Sequence, residues 1–148
     1  MLAADIAHAV EHYHRAVNAF VNGDAEPEKR LYSRRDDVTL ANPLGPPALG
    51  WRQVEAALEL AASQARDAEA VRFERITDYG TRDLAFILEL ERVRMKVGGA
   101  DEAVPVSLRA TTIFRREEDG WKVIHRHADP ITSPRPVESV IEPEPRGD

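Results

Sequence analysis

The 148-residue chain contains no cysteine. That removes disulfides, thiolate nucleophiles and cysteine-based metal sites, and it suits a reducing, cytoplasmic setting. It has no apolar run approaching the roughly 20 residues that cross a bilayer. Its opening stretch, MLAADIAHAVEHYH, lacks the basic segment and continuous apolar stretch of a signal peptide, so no membrane partner is expected. Positive charge is not in surplus either: 20 Lys and Arg stand against 26 Asp and Glu, a net charge of −6. Phosphate-backbone binding needs a basic face, so no nucleic-acid partner is expected. What remains is an ordinary hydrophobic content of 43% over a length that supports one domain with a real core.

Helical spacing of Ile6, Val10, Tyr13, Val17 and Phe20 predicts a first helix from Ala3 to about Val21, stopped at Asn22-Gly23. Asp24 and Pro27 open a short second helix to about Arg35. A short strand over Val38–Ala41 leads into Asn42-Pro43-Leu44-Gly45-Pro46-Pro47, which cannot be regular structure. Val54 and Leu58 share one side of a third helix from Trp51 to about Arg66. Val71–Thr77 and Leu84–Met95 read as strands around a turn at Asp78-Tyr79-Gly80. In the longer one, Leu84, Phe86, Leu88 and Leu90 face one way and Glu89 and Glu91 the other, the charged side being assigned to the outer face. Residues 131–148 are proline-rich with little to bury, and are expected to form a disordered or loosely draped tail after a domain spanning 1–130.

The chain is organised around a hairpin. Ser107–Arg116 and Trp121–Asp129 are strands joined by Glu117-Glu118-Asp119-Gly120. Uninterrupted alternation puts Leu108, Ala110, Thr112 and Phe114 on the core face of the first strand. On the second it puts His125, His127 and Asp129 on the same face as Trp121 and Val123, so that they point inward. Arg109, Ile113, Arg115, Lys122, Ile124 and Arg126 fall on the outer face, where the two isoleucines among charges suggest a homodimer surface. Segregating helices from a mostly antiparallel sheet gives an α+β domain.

Arg35-Asp36-Asp37-Val38-Thr39-Leu40-Ala41-Asn42-Pro43-Leu44-Gly45, the helix-preceding Gly50, and Gly120-Trp121-Lys122-Val123-Ile124-His125-Arg126-His127 resemble the SnoaL-like and ketosteroid-isomerase-like branch of the nuclear transport factor 2 superfamily. The resemblance spans roughly Ala3–Asp129. It implies a cone-shaped fold, in which a curved antiparallel sheet wraps three helices around an apolar pocket, often in homodimers. Isomerases of that branch use an aspartate base and an oxyanion hole made of a tyrosine and an aspartic acid. Carried over by register, these positions are Asn42, Ala16 and Thr112, and none of the three has the family's side chain. An amide accepts no proton at neutral pH and alanine donates no hydrogen bond, so the resemblance implies the pocket without that chemistry.

The expected ligand is a small, apolar, oxygenated molecule, with no cofactor. His125, His127 and Asp129 are the candidate acid–base residues, Thr112 being placed to bond His125 across the strands. Asn42, Thr112, Tyr13, Phe20, Leu58, Phe86, Ala110 and Phe114 are the candidate pocket lining. Strand spacing sets His125 and Asp129 roughly 13 Å apart, too far for a compact metal site. A small-molecule enzyme, a non-catalytic binding domain and a dimeric assembly module all remain open on this sequence.

Overall fold

The computed structural model describes residues 2–144. Helix α1, Ala4–Phe20, buries Ile6, Val10, Tyr13, Ala16 and Val17 at the predicted spacing. The chain leaves it through Gly23 at φ 94°, where an added Cβ would sit 3.4 Å from the Ala65 carbonyl oxygen. Helix α2, Glu26–Leu31, is shorter than predicted. At Tyr32 the backbone turns extended, and the residue bridges Val123 in parallel and is fully buried. Strand β1 is Thr39–Ala41, followed by the irregular proline-rich segment and then β2, Ala48–Leu49, which returns antiparallel to β1. Helix α3, Trp51–Ala62, buries Val54, Leu58 and Ala62. It stops short of Arg66 because Ala65–Arg66 forms β3 instead, paired with Val97 and Lys96.

Strands β4 (Arg72–Gly80), β5 (Leu84–Val97), β6 (Val104–Glu117) and β7 (Gly120–Asp129) complete a curled mixed sheet. Its order is β2-β1-β7-β6-β5-β3, with β4 also on β5, and β1 runs parallel to β7. Asp78-Tyr79-Gly80 is strand, not turn: Gly80 pairs with Ala85, and the chain reverses at residues 81–83, closed by the Thr81 amide donating to the Leu84 carbonyl at 2.7 Å. The three helices lie against the concave side, and Tyr13, Tyr32, Leu40, Leu58, Phe114 and Val123 form the buried centre. The domain is α+β, a curved sheet wrapped around three helices. Among the described residues no helix is long and apolar enough to cross a membrane.

Two face assignments differ from the alternation. On β7, His125 stands opposite Ile113 but Val123 stands opposite Phe114, so Ile124 is an extra residue in a β-bulge. Trp121 and Val123 keep the expected inward side, while beyond the bulge the faces exchange. Arg126 and Ala128 turn inward; His125, His127 and Asp129 turn outward. On β5, Ala85, Ile87, Glu89 and Glu91 are the buried set, and Leu84, Phe86, Leu88 and Leu90 lie on the outer face. The glutamates tolerate burial because each has cationic or imidazole partners there: Glu89 bonds His14 at 2.7 Å and Arg75 at 2.8 Å, and Glu91 bonds Arg126.

Candidate functional site

The bulge delivers Arg126 to the concave face, and this builds the site. Its Nη1 and Nη2 atoms donate to the two carboxylate oxygens of Glu91, each at 2.8 Å. Nη1 also donates to the Tyr13 hydroxyl oxygen at 2.7 Å, and that oxygen accepts from Thr112 Oγ1 at 3.3 Å. Burial disfavours the charge on Arg126, but Glu91 outweighs it, so the guanidinium stays ionised, with its pKa well above its ordinary value. Burial likewise pushes the Tyr13 phenol upward, so it remains neutral.

Beside this pair α2 presents Glu28, wholly buried at 3% exposure. Its only hydrogen bond among the described residues is a long one, accepted from the Tyr32 hydroxyl at 3.5 Å. Burial pushes the Glu28 carboxyl up to about 7, with the nearby Glu91 adding to the rise and Arg126 opposing it. A carboxyl balanced between its acid and base forms is the group general acid–base chemistry uses at neutral pH.

Glu28, Glu91 and Arg126 form one wall of a cavity of about 190 Å³. The rest of its lining is largely apolar, including Val17, Phe20, Met95 and Leu108, with Asn42, Pro43 and Leu44 at one side. A second cavity of about 260 Å³ adjoins it around the same loop, sharing Asn42, Leu44 and Ala61. Each falls short of the roughly 300 Å³ at which drug-sized sites usually begin, which suits a small ligand.

Of the residues expected from the sequence, Asn42 and Phe20 line the cavity. Tyr13 and Thr112 support the Arg126 guanidinium, and Leu58, Ala110 and Phe114 are packed in the core. The other four lie elsewhere. Phe86 is on the outer sheet face, as are His125, His127 and Asp129. His125 Nδ1 bonds Thr39 Oγ1 at 2.7 Å, not Thr112. Its pKa is lowered by partial burial and by His127. His127 is exposed, and Asp129 accepts from Arg109 Nε at 2.7 Å. Among the described residues no three His, Asp or Glu side chains are grouped to hold a metal ion. Sequence reasoning missed Glu28, Glu91 and Arg126. The available signal was the pair Glu89 and Glu91, alternating with Leu88 and Leu90 after the apolar run Leu84–Leu88.

A curled sheet over three helices, with a polar group set into an apolar interior, is the nuclear transport factor 2-like fold. A family model described as SnoaL-like domain matches residues 6–132, and the chain belongs to that family. Among solved structures, a ketosteroid isomerase-like protein from Erwinia carotovora atroseptica superposes with a TM-score of 0.72 at 18% identity, over 88% of this chain and 96% of the other. A nuclear transport factor 2-like protein of unknown function from Pseudomonas putida gives 0.67 at 24% identity, over 95% of both chains. The CaMKII hub of S. rosetta gives 0.64 at 17%, over 87% of this chain and 96% of that one. At these identities the likeness is one of fold. A search of curated proteins gave no match.

Proposed function

We propose that the chain binds a small, mostly apolar, oxygen-bearing molecule in the cavity beside Arg126, and that Glu28 exchanges a proton with it. The observation that carries this reading is a fully buried carboxyl, poised near neutrality, on the wall of an otherwise apolar cavity. In its neutral form Glu28 donates to a carbonyl or hydroxyl oxygen; ionised, it accepts a proton from the ligand. The Glu91–Arg126 pair is mutually satisfied, so it leaves no spare charge to attract an ionic ligand and sets the local field instead. Asn42 supplies a second polar contact from the loop. The lack of cysteine supports a cytoplasmic setting.

A homodimer belongs to the same proposal. The outer sheet face carries Phe86, Leu88 and Ile113 in adjoining cross-strand rows, flanked by the exposed Tyr79 and Leu84. An apolar sheet surface of this kind fits a second copy of the chain.

Native mass spectrometry of protein isolated from its own host should show dimer mass and a retained small molecule. With a substrate in hand, Glu28→Gln should fold normally and lower turnover roughly 100-fold or more. Turnover in Glu28→Gln equal to the parent's, with the same pH profile, would remove Glu28 from the chemistry.

A further inference from the structure

A third cleft lies at the opposite end of β5 from the Leu84 turn. It measures about 300 Å³ and is lined by Arg72, Arg92, Arg94, Ser107 and Glu69, together with Val106, which it shares with the Glu28 cavity. We propose that this cleft binds a small phosphate-bearing anion, independently of the ligand in the Glu28 cavity.

Three arginines line it although the chain as a whole carries a net charge of −6. Arg72 and Arg92 stand directly opposite each other on β4 and β5, an arrangement that like charges disfavour unless something neutralises them. Nothing within the described residues does. Arg92 Nη1 donates to Ser107 Oγ at 3.1 Å and Arg94 Nη2 to the Ala103 carbonyl at 3.1 Å, both uncharged acceptors. No carboxylate lies within ion-pair distance of any of the three among the described residues, in a protein where Arg75, Arg109, Arg115, Arg116 and Arg126 each have one. Glu69 borders the cleft without pairing; its amide is held by the Arg94 carbonyl. Guanidinium groups present planar donor pairs that match the oxygens of a phosphate, and Ser107 adds a hydroxyl beside Arg92. Phe86, in the apolar patch, is roughly 20 Å away along β5, so the cleft sits beyond the centre of the proposed dimer surface.

The test is calorimetric titration of the full chain with inorganic pyrophosphate at fixed ionic strength. It compares the parent with Arg92→Gln/Arg94→Gln and with Arg82→Gln, a control at the fully solvated turn before β5. The parent should bind at sub-millimolar concentration, the double variant about tenfold more weakly or worse, and the control like the parent. Thermal melts check folding, and Arg94→Gln alone, at an exposed side chain, serves if the double variant does not fold. The proposal is overturned by a parent that ignores millimolar pyrophosphate, by arginine variants that bind as tightly as the parent, or by an equal loss in Arg82→Gln. Recruitment to phosphatidic-acid vesicles without pyrophosphate binding would overturn it too, in favour of a membrane headgroup.

Discussion

Arg126 on β7 and Glu91 on β5 share two 2.8 Å hydrogen bonds across an intervening strand. Arg126 is registered with Thr112 and Glu91 with Leu108, so the guanidinium reaches diagonally over the inner face of β6. The residue between those two on that face is Ala110, whose methyl group leaves the path open. Both side chains are under 10% exposed, which makes the pair expensive to break and inexpensive to replace whole.

Arg126→Leu should therefore destabilise the fold by about 3–5 kcal/mol, because Glu91 would remain buried without its counter-charge. Arg126→Met combined with Glu91→Leu should recover most of that loss in urea unfolding. A double variant as unstable as the single one would mean that the guanidinium's bond to Tyr13 matters more than the ion pair.

Glu28 predicts a pH dependence with a definite sign. Its carboxyl holds a proton up to about 7 in the folded chain, against an ordinary value of 4.5. Between those values the folded state binds more protons than the unfolded one, so stability falls as pH rises through the window. The loss should be about 3 kcal/mol once pH exceeds both values. Glu28→Gln removes the titration. The gap between parent and variant, followed by urea unfolding from pH 4.5 to 8, should thus shift in the variant's favour as pH rises. A gap that stays constant would place Glu28 in an ordinary solvated environment.

Charging the outer sheet face should separate the subunits. Phe86→Glu with Ile113→Glu puts two carboxylates in one cross-strand pair at the centre of the apolar surface. Sedimentation should report monomer, with the interior unchanged because neither side chain contributes to the buried core. A variant that stays dimeric places the interface on another surface.

Truncation after Pro136 should shift the melting temperature by no more than about 2 °C. The tail from Val137 to Glu144 is exposed throughout, its one ordered feature being a 3₁₀ turn at Val137–Val140, while residues 145–148 lie outside the described region. Little apolar surface is withdrawn from water there, so little is lost on removal. A drop of many degrees would show that the tail covers the cavity or a partner.

By itself the sequence determined the order of the three helices, the first short strand and the long strands, the helical stripe of Ile6, Val10, Tyr13 and Val17, the hairpin with Gly120 at φ 118°, and the loop that carries Asn42 to the cavity, but not the short strands β2 and β3. These are local: spacing along one helix, a turn needing positive φ, prolines without a donor. Only the tertiary structure decided which charged residues face the interior. A bulge at Ile124 needs no special residue, yet one inserted position in a period-two pattern reverses every side chain after it. That reversal moved His125, His127 and Asp129 outward and brought Arg126 in. Glu91 went inward against its own strand's hydrophobic pattern because its partner, 35 residues away on a non-adjacent strand, was waiting there. Burial of a charge depends on where the opposite charge lies after the sheet has closed, and no window of sequence contains that distance.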